Sequence, residues 1–313
     1  MKRRTFLTGT AVTFLTTACA APRPTPEPRA EAAYPPIGQI VDTRFGKVHL
    51  TDQGRGDGPP VILIHGASGN VRDWTHSITS RLSARHRVIA MDRPGFGYSE
   101  RPDVDGSWRP AMQAEQLREA AAKIGAENPI IVGHSWGAGV ALAWALDAPD
   151  DVTGVVSVSG VTMPWGGLAP ALNALGFGSV IAGLYNRRMT RSAENGGVQR
   201  FVERAFRPQM PPPGYLDYVG APLALREKTL NANGADLANT NPAISEVAGR
   251  YGELRLPIEV MHGDADWLLG IEQHGQEFVA AVPSARLTPL PAVGHMAHHA
   301  RTDVLASLIQ RMA

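Results

Sequence analysis

The sequence predicts an α/β fold in which helices cover both faces of a mostly parallel β-sheet. Short apolar or alternating runs recur along the 313 residues, and helical patterns separate them. The first two runs flank the tripeptide Arg44-Phe45-Gly46 and predict a hairpin. Between residues 163 and 252 the alternation stops, and helical fragments predict an insertion between two strands of the sheet.

The strand and helix patterns follow one another in a regular order. The eight predicted strands are Gln39–Thr43, Lys47–Asp52, Val61–His65, Val88–Asp92, Ile130–Gly133, Val155–Ser159, Ile258–His262 and Ala285–Pro289. The helical patterns cover residues 71–84, 111–124, 136–147, 271–281 and 297–312, and within the insertion Leu168–Asn186, Gly197–Phe206 and Leu216–Ala232. Because reactive groups gather at the carboxyl ends of parallel strands, we expect the insertion to lie over those ends as a lid.

The composition is that of a globular protein with a sizeable core. Hydrophobic residues make up 43% of the chain, charged residues 19%, and the formal net charge is +1. No block of basic residues occurs beyond the N-terminus, which argues against nucleic acid as a partner. No apolar stretch beyond the N-terminus is long enough to span a bilayer.

The first 18 residues have the pattern of an export signal. Lys2, Arg3 and Arg4 precede a short apolar segment that ends in small residues and is too short to span a membrane. The order Arg-Arg-x-Phe-Leu resembles a twin-arginine signal, and the alternative is a Sec-type signal with a basic start. We therefore expect an exported protein that is either periplasmic or anchored to a membrane as a lipoprotein.

Cys19 is the only cysteine, so the sequence predicts no disulfide. Its place at the end of the apolar segment resembles a bacterial lipoprotein cleavage site, where a lipidated cysteine anchors the protein to a membrane. Thr16 departs from the leucine usual at such sites, and cleavage elsewhere would remove Cys19 with the signal. Proline recurs through residues 19–36, which predicts a stiff, extended tether before a folded domain over residues 37–313.

Ser135 has the sequence context of a catalytic nucleophile. The pentapeptide Gly133–Gly137 follows a buried strand and precedes a helical pattern, so a tight turn of the form Gly-x-Ser-x-Gly joins the two. Such a turn strains the serine backbone, presents the hydroxyl at its tip and leaves room only for glycine on either side. A serine hydroxyl also requires a base within hydrogen-bond reach and a carboxylate that orients the base.

The chain supplies both partners after later strands. His295 follows the last predicted strand, and two acid candidates, Asp264 and Asp266, follow the strand before it. His298 and His299 form a cluster with His295 that raises the alternative of a metal site. No acidic or cysteine ligand lies near them in sequence, so we expect no metal, and both residues are placed in the first turn of the final helix.

Four segments in the right order give the chain a specific resemblance to the α/β-hydrolase superfamily, in its lid-bearing branch with a serine nucleophile. They are residues 65–70, residues 92–99, residues 133–137 and the segments that carry the acid and His295. The resemblance covers residues 37 to 313. It implies an α/β-hydrolase fold with a mostly parallel eight-stranded sheet, flanking helices and a helical lid insertion.

The resemblance also assigns roles to individual residues. The pattern Gly-x-x-Asp selects Asp266 as the acid of a Ser135–Asp266–His295 triad and leaves Asp264 to cap a turn. The backbone N–H groups of Ala67 and Trp136 are implied to form the oxyanion hole. Of the two histidines next to these motifs, His65 is expected to hold the oxyanion loop, and His134 to pack away from the nucleophile.

These residues predict a serine hydrolase that acts on a small-molecule acyl substrate without a metal or an organic cofactor. Carboxylic-ester hydrolysis is the leading hypothesis, with C–C bond, lactone or amide hydrolysis (as in proline-iminopeptidase-like relatives) and perhydrolase chemistry as enzymatic alternatives. A serine at position 135 argues against the epoxide-hydrolase and dehalogenase branches, which use a carboxylate nucleophile on the same scaffold. A ligand-binding protein without catalysis is the alternative of another class.

Overall fold

Eight strands form one sheet in the computed structural model, which describes residues 26–166, 177–194 and 196–313. Their order is β1-β2-β4-β3-β5-β6-β7-β8. The strands are β1 Gln39–Thr43, β2 Gly46–Gln53, β3 Val61–Ile64, β4 Val88–Met91, β5 Ile130–His134, β6 Gly154–Val158, β7 Ile258–Gly263 and β8 Ala285–Leu290. All eight predicted strands are therefore present, with ends that differ by one residue at most. The export signal and Cys19 lie outside the described residues.

The sheet is mostly parallel, as the sequence predicts. Among the described strands, β2 runs antiparallel to β1 and β4, and every other neighbouring pair is parallel. All residues of β3, β4, β5, β6 and β7 are buried, because helices cover both faces of the sheet. The two faces belong to two separate apolar clusters. Ile62 and Ile64 of β3 contribute to one, and the alternate residues Val61 and Leu63 contribute to the other.

Helices of the sheet domain cover these faces. They are α2 Val71–Thr75, α3 Ile78–Leu82, α4 Pro110–Lys123, α5 Trp136–Asp147, α12 Phe278–Ala281, α13 Ala297–Ala300 and α14 Thr302–Gln310. Short 3₁₀ turns occupy Pro149–Asp151 and Tyr251–Glu253, and a π-helical turn, Glu272–Glu277, leads into α12. Two predicted helices are each divided. The pattern over 71–84 is interrupted at His76 and Ser77, and the pattern over 297–312 is interrupted at Arg301, whose φ of −137° is not helical.

The segment between β6 and β7 is here called the insertion, and most of its described residues are helical, as the sequence predicts. Its described helices are α6 Phe177–Glu194, α7 Gly197–Phe206, α8 Tyr215–Val219, α9 Ala221–Ala224, α10 Glu227–Ala238 and α11 Thr240–Ala248. The pattern over Leu216–Ala232 proves to be three helices, since Gly220 adopts a left-handed conformation (φ 71°) between α8 and α9. Helix α11 was not predicted, and the start of the Leu168–Asn186 pattern lies outside the described residues.

The proline-rich segment before β1 is not extended throughout, which corrects the predicted tether over residues 19–36. Residues Glu27–Ala33 form helix α1, whose first turn contains a proline, a position where a missing N–H is no loss. Ala30 is buried, and Glu31 accepts a 2.8 Å hydrogen bond from Arg226 of the insertion. The folded body therefore begins before residue 37, because tertiary contacts outweigh the local preference of proline for extended backbone.

Within the described residues, every helix is too short or too polar to cross a bilayer.

Candidate active site

Ser135 occupies the turn between β5 and α5 in a strained backbone conformation. Its φ is 52° and its ψ −120°, values that few residues other than glycine adopt. The flanking glycines have no space for a side chain. A Cβ on Gly133 would lie 2.4 Å from the carbonyl oxygen of Gly137, and one on Gly137 would lie 2.5 Å from that of Ile64. The turn is held in place by the Ser135 N–H, which donates to the carbonyl of Val158 at 3.0 Å.

Asp266, and not Asp264, contacts His295. The Nδ1–H of His295 donates to Oδ2 of Asp266 at 2.7 Å. The other carboxylate oxygen accepts the backbone N–H groups of Leu268 and Leu269 at 2.9 and 3.1 Å. Asp264 instead accepts the backbone N–H of Ala292 at 2.7 Å, so it closes the turn that precedes His295.

The Asp266 carboxylate is ionised. Burial alone would raise its pKa, but the nearby ring of His262 and the hydrogen bond from His295 outweigh burial and hold the pKa well below its usual range. Because Nδ1 of His295 is the donor to this carboxylate, Nε2 is left without a proton in the neutral ring. That atom is the one a general base would use.

The N–H groups of Ala67 and Trp136 have no hydrogen-bond partner among the described residues, and both residues line the same cavity as Ser135. Trp136 is the first residue of α5, where the helix has no internal acceptor for its N–H. Ala67 lies in the loop that follows β3. A Cβ on the preceding Gly66 would lie 2.9 Å from Cβ of Ser135, so this loop passes directly over the turn that carries Ser135.

His65 and Arg93 hold this oxyanion loop. The Nδ1–H of His65 donates to the carbonyl of Gly66 at 2.8 Å, and its Nε2 accepts the backbone N–H of Arg93 at 2.9 Å. Burial and the neighbouring Arg93 charge lower the pKa of His65 to about 4, which is consistent with a neutral ring in this role. The Arg93 side chain donates to the carbonyls of His65 and Gly66 at 3.0 and 3.2 Å.

The insertion is connected to the same loop through buried polar contacts. Nη1 of Arg93 lies 2.7 Å from Oδ2 of Asp236 on α10, and both side chains are fully buried. Asn233, one turn earlier on α10, accepts the Ser68 N–H at 2.9 Å and donates to the Ser68 hydroxyl at 3.1 Å. The insertion therefore helps to position the loop that carries the Ala67 N–H.

A cavity of about 410 Å³ lies between the insertion and the carboxyl ends of the strands. Ser135, Trp136 and His295 lie in its wall beside the oxyanion loop. Most of the remaining wall is apolar and comes from the insertion: Met189, Val198, Phe201, Val202, Ala205, Phe206, Val219, Ala221, Ala224, Leu225 and Leu237. Within the described part of the chain, no hydrogen bond joins the Ser135 hydroxyl to His295. Such bonds often form only when substrate is bound.

Asp73, which is close in sequence to the oxyanion loop, is a second buried carboxylate in the cavity wall. Its oxygens accept hydrogen bonds from Tyr215 at 2.8 Å, from His299 at 2.9 Å and from His298 at 3.1 Å. Burial would raise the pKa of Asp73, but the contacts with His298 and His299 outweigh it and hold the pKa well below its usual range. The partners lie more than 140 residues away along the chain, so no local pattern could reveal them.

His298 and His299 therefore do not simply occupy the first turn of the final helix. They lie in the separate helix α13 and bind Asp73, and burial lowers the pKa of His298 to about 4. The ligand atoms of Asp73, His298 and His299 lie within 4.8 Å of one another, close enough to hold a metal ion. In this structure the same atoms bond to each other, and His295 belongs to the separate pair with Asp266.

His134 does more than pack away from the nucleophile. Its ring lies against the rings of His295 and His298, with centroids 4.9 and 4.2 Å apart, and its Nε2–H donates to the carbonyl of His295 at 3.2 Å. Burial and the neighbouring histidines lower the pKa of His134 well below its ordinary value. A neutral imidazole thus supports His295 from behind.

Known proteins share the fold of this chain. Residues 59–302 match the family model of the alpha/beta hydrolase fold. The 2-hydroxymuconate semialdehyde hydrolase of Pseudomonas putida is 28% identical over 293 residues, an alignment that covers 88% of this chain and 94% of that protein. Epoxide hydrolase B of Mycobacterium tuberculosis is 32% identical over 133 residues, which are 42% of this chain and 36% of that protein. The match thus spans about a third of the length of this relative.

Solved structures show the same fold at low sequence identity. An esterase from Exiguobacterium antarcticum superimposes with a TM-score of 0.70 and 18% identity, over 88% of this chain and 99% of the esterase. The family match covers well over half of the chain, including β3 to β8 and the segments that carry Ser135, Asp266 and His295. The chain therefore belongs to the alpha/beta hydrolase fold family.

Proposed function

We propose that the protein hydrolyses carboxylic esters through an acyl-enzyme formed on Ser135. The observation that carries this proposal is that four groups lie close together at one end of the cavity. These are the strained Ser135, the pair of His295 and the ionised Asp266, and two backbone N–H groups that have no partner among the described residues. A hydroxyl nucleophile, a base and oxyanion donors are the groups that acyl transfer requires.

Each group has one role in this reaction. The Ser135 hydroxyl attacks the ester carbonyl carbon while Nε2 of His295 accepts the hydroxyl proton. The N–H groups of Ala67 and Trp136 donate to the oxyanion that forms, a contribution of about 3 kcal/mol for each donor in related chemistry. His295 then gives the proton to the departing alcohol oxygen. Water, deprotonated by the same ring, releases the acid and restores Ser135.

The cavity wall favours an uncharged, apolar acyl group. Among its described lining residues there is no lysine or arginine, and the one carboxylate, Asp73, is ionised. An anionic acyl group would therefore lose its hydration without gaining a cationic partner, which is costly in a largely apolar site. The apolar residues of α7 and α9 instead provide contact area for an alkyl or aryl chain.

C–C bond hydrolysis is the second candidate, because the Pseudomonas putida relative aligned over 94% of its length is a 2-hydroxymuconate semialdehyde hydrolase. The substrate in that name carries a carboxylate, and the described cavity offers no cationic side chain to receive it. Similarity to an epoxide hydrolase over 42% of the chain is weaker support, since a serine stands at the nucleophile position. Ester hydrolysis of neutral substrates fits the cavity better than either.

The proposal is tested with purified protein and p-nitrophenyl esters of increasing acyl length. We expect hydrolysis by the wild-type protein and a loss of about 10³-fold or more in kcat for Ser135→Ala. Ser80→Ala, which alters an exposed serine, is the matched control and should retain activity. Turnover of the semialdehyde named for the relative with no turnover of any ester would favour C–C hydrolysis. Absence of turnover with both would contradict the enzymatic reading.

A further inference from the structure

Exposed apolar side chains are concentrated on and beside the insertion. Of the eight large apolar side chains exposed in the described part of the chain, Val180, Leu184, Phe201 and Met210 belong to the insertion. A fifth, Trp267, lies next to Asp266 and packs on α7, where its Nε1–H donates to the carbonyl of Arg204 at 2.7 Å. Exposed apolar groups clustered in one region mark an interaction surface, whereas single ones do not.

The same region is strongly basic. Residues 177–214 contain six arginines and two glutamates, with no lysine or aspartate. Arg187, Arg188, Arg200 and Arg204 are exposed, and the Arg204 guanidinium lies 3.8 Å from the centre of the Trp267 ring. The rest of the chain has 24 basic residues and 27 acidic ones, so the excess of positive charge is local.

The apolar and basic residues of α6 share one helix face. Side chains three, four, seven or eight positions apart lie on the same side of an α-helix. Apart from the adjacent pair of arginines, every spacing among Val180, Leu184, Arg187 and Arg188 is one of these. All four are exposed, while α6 packs on α10 and α7 through its other sides. On α7, Arg200, Phe201 and Arg204 repeat the combination of apolar and basic exposed residues.

Phe201 connects this surface with the active-site cavity. Its side chain lines the cavity and is at the same time 41% exposed, so it lies at an opening between the cavity and solvent. Whatever covers the surface therefore lies at an entrance for substrate.

We propose that this docking surface (Val180, Leu184, Arg187, Arg188, Arg200, Phe201, Arg204, Met210 and Trp267) binds the face of an anionic lipid bilayer. Arginines that pair with lipid phosphates and apolar side chains that enter the acyl boundary are the two elements of interfacial binding. An exposed tryptophan beside an arginine also suits the headgroup region.

A bilayer fits this surface better than a second copy of the chain does. A symmetric dimer through the same surface would bring arginines of both copies together without enough acidic residues to compensate them. Each partner of such a dimer would contribute the same excess of positive charge. An anionic membrane supplies both the negative charge and the apolar layer that the surface lacks.

The test is sedimentation with vesicles of phosphatidylcholine, with and without phosphatidylglycerol, using the full chain with Cys19→Ser in every variant so that lipidation plays no part. We expect binding to the anionic vesicles that weakens as salt is raised. The double variant Arg187→Glu, Arg188→Glu should bind the anionic vesicles with an affinity reduced at least about tenfold. Leu184→Asp should bind them several-fold more weakly. These residues do not line the cavity, so hydrolysis of a soluble short-chain ester should be unchanged and reports that the variants are folded.

The matched controls are Arg55→Glu with Arg286→Glu, and Val104→Asp, which change exposed residues outside the docking surface. We expect them to bind vesicles like the wild-type protein. Equal loss of binding in the controls, or absence of binding to anionic vesicles by the wild-type protein, would overturn the proposal. The proposal would also be overturned if the wild-type protein were a dimer, and Leu184→Asp made it a monomer without changing its binding to vesicles. Vesicle binding requires no catalysis, so the sedimentation experiment can fail or succeed independently of the test of ester hydrolysis.

Discussion

Asp264 and Asp266, two residues apart after β7, make contacts of different kinds. The Asp266 carboxylate is buried, accepts the Nδ1–H of His295 at 2.7 Å and is fixed by two backbone N–H groups. Asp264 is exposed and bonds to the backbone of Ala292. Only Asp266 is placed to orient the imidazole and to stabilise its charge when it accepts a proton.

Replacing the two aspartates separates these roles. In Asp266→Asn the amide can turn an N–H toward the ring, which favours the wrong tautomer of His295 and removes the compensating charge. We expect kcat for a p-nitrophenyl ester to fall by about 10⁴-fold, the scale known for this change in a serine protease triad. Asp264→Asn keeps an acceptor for the Ala292 N–H and should change kcat by less than about threefold. An equal loss in both variants would contradict the assignment of Asp266.

At the residue level, the sequence predicted the groups that lie in local motifs but not the contacts between residues far apart in the chain. Ser135, Asp266 and His295 each follow a strand closely, so the order of strands and turns already indicates that they share one edge of the sheet. Asp73 binds Tyr215, His298 and His299, and Asp236 binds Arg93, across more than 140 residues of the chain in each case. Charge, spacing and hydropathy near these two residues carry no information about such contacts.

At the level of elements, α10 of the insertion is connected to the oxyanion loop by a buried ion pair. Asp236 contacts Arg93 at 2.7 Å and Arg101 at 2.9 Å, and it also accepts a hydrogen bond from Gln113 at 3.1 Å. Since Arg93 donates to the carbonyls of His65 and Gly66, the position of α10 affects the loop that carries the Ala67 N–H.

Asp236→Asn should therefore affect both stability and catalysis. It leaves the fully buried Arg93 without its counter-charge, and breaking one side of a buried pair costs about 3–5 kcal/mol of unfolding free energy. We also expect a lower kcat, because the oxyanion loop loses part of its support. Urea unfolding and ester kinetics measure the two effects, with Asp217→Asn, an exposed carboxylate on α8, as the control. Unchanged stability and unchanged kcat in Asp236→Asn would show that this contact does not connect the insertion with the loop.

The positions of the strands and of helices α4, α5 and α7 could be predicted because their residues follow local patterns of burial. Helices α5 and α7 have the predicted bounds, and their residues follow uninterrupted local patterns. The divided helices are different, because His76 and the pair His298–His299 make contacts with distant residues that the local pattern does not contain. Helix α1 was missed for the same reason, since its contact with Arg226 lies 195 residues away along the chain.

At the scale of the whole molecule, several histidines are buried in the neutral state. Burial lowers the pKa values of His65, His274 and His298 to about 4 from an ordinary value of 6.5. His65 uses its neutral ring to hold the oxyanion loop, and Nδ1 of His274 accepts the backbone N–H groups of Thr162 and Met163 at 3.3 Å. Protonation of either ring would remove an acceptor from the interior.

These three histidines make the free energy of unfolding depend on pH. Between about pH 6.5 and pH 4 each histidine binds a proton in the unfolded chain but not in the folded one, so the folded state loses stability as the pH falls through this range. Each contributes up to about 1.4 kcal/mol per pH unit. Urea unfolding at pH 7.5, 6 and 5 should show this decline, and in His298→Gln, where an amide can still donate to Asp73, the slope should decrease by about one proton. An unfolding free energy that stays constant from pH 7 to pH 5 would contradict the neutral state of these histidines.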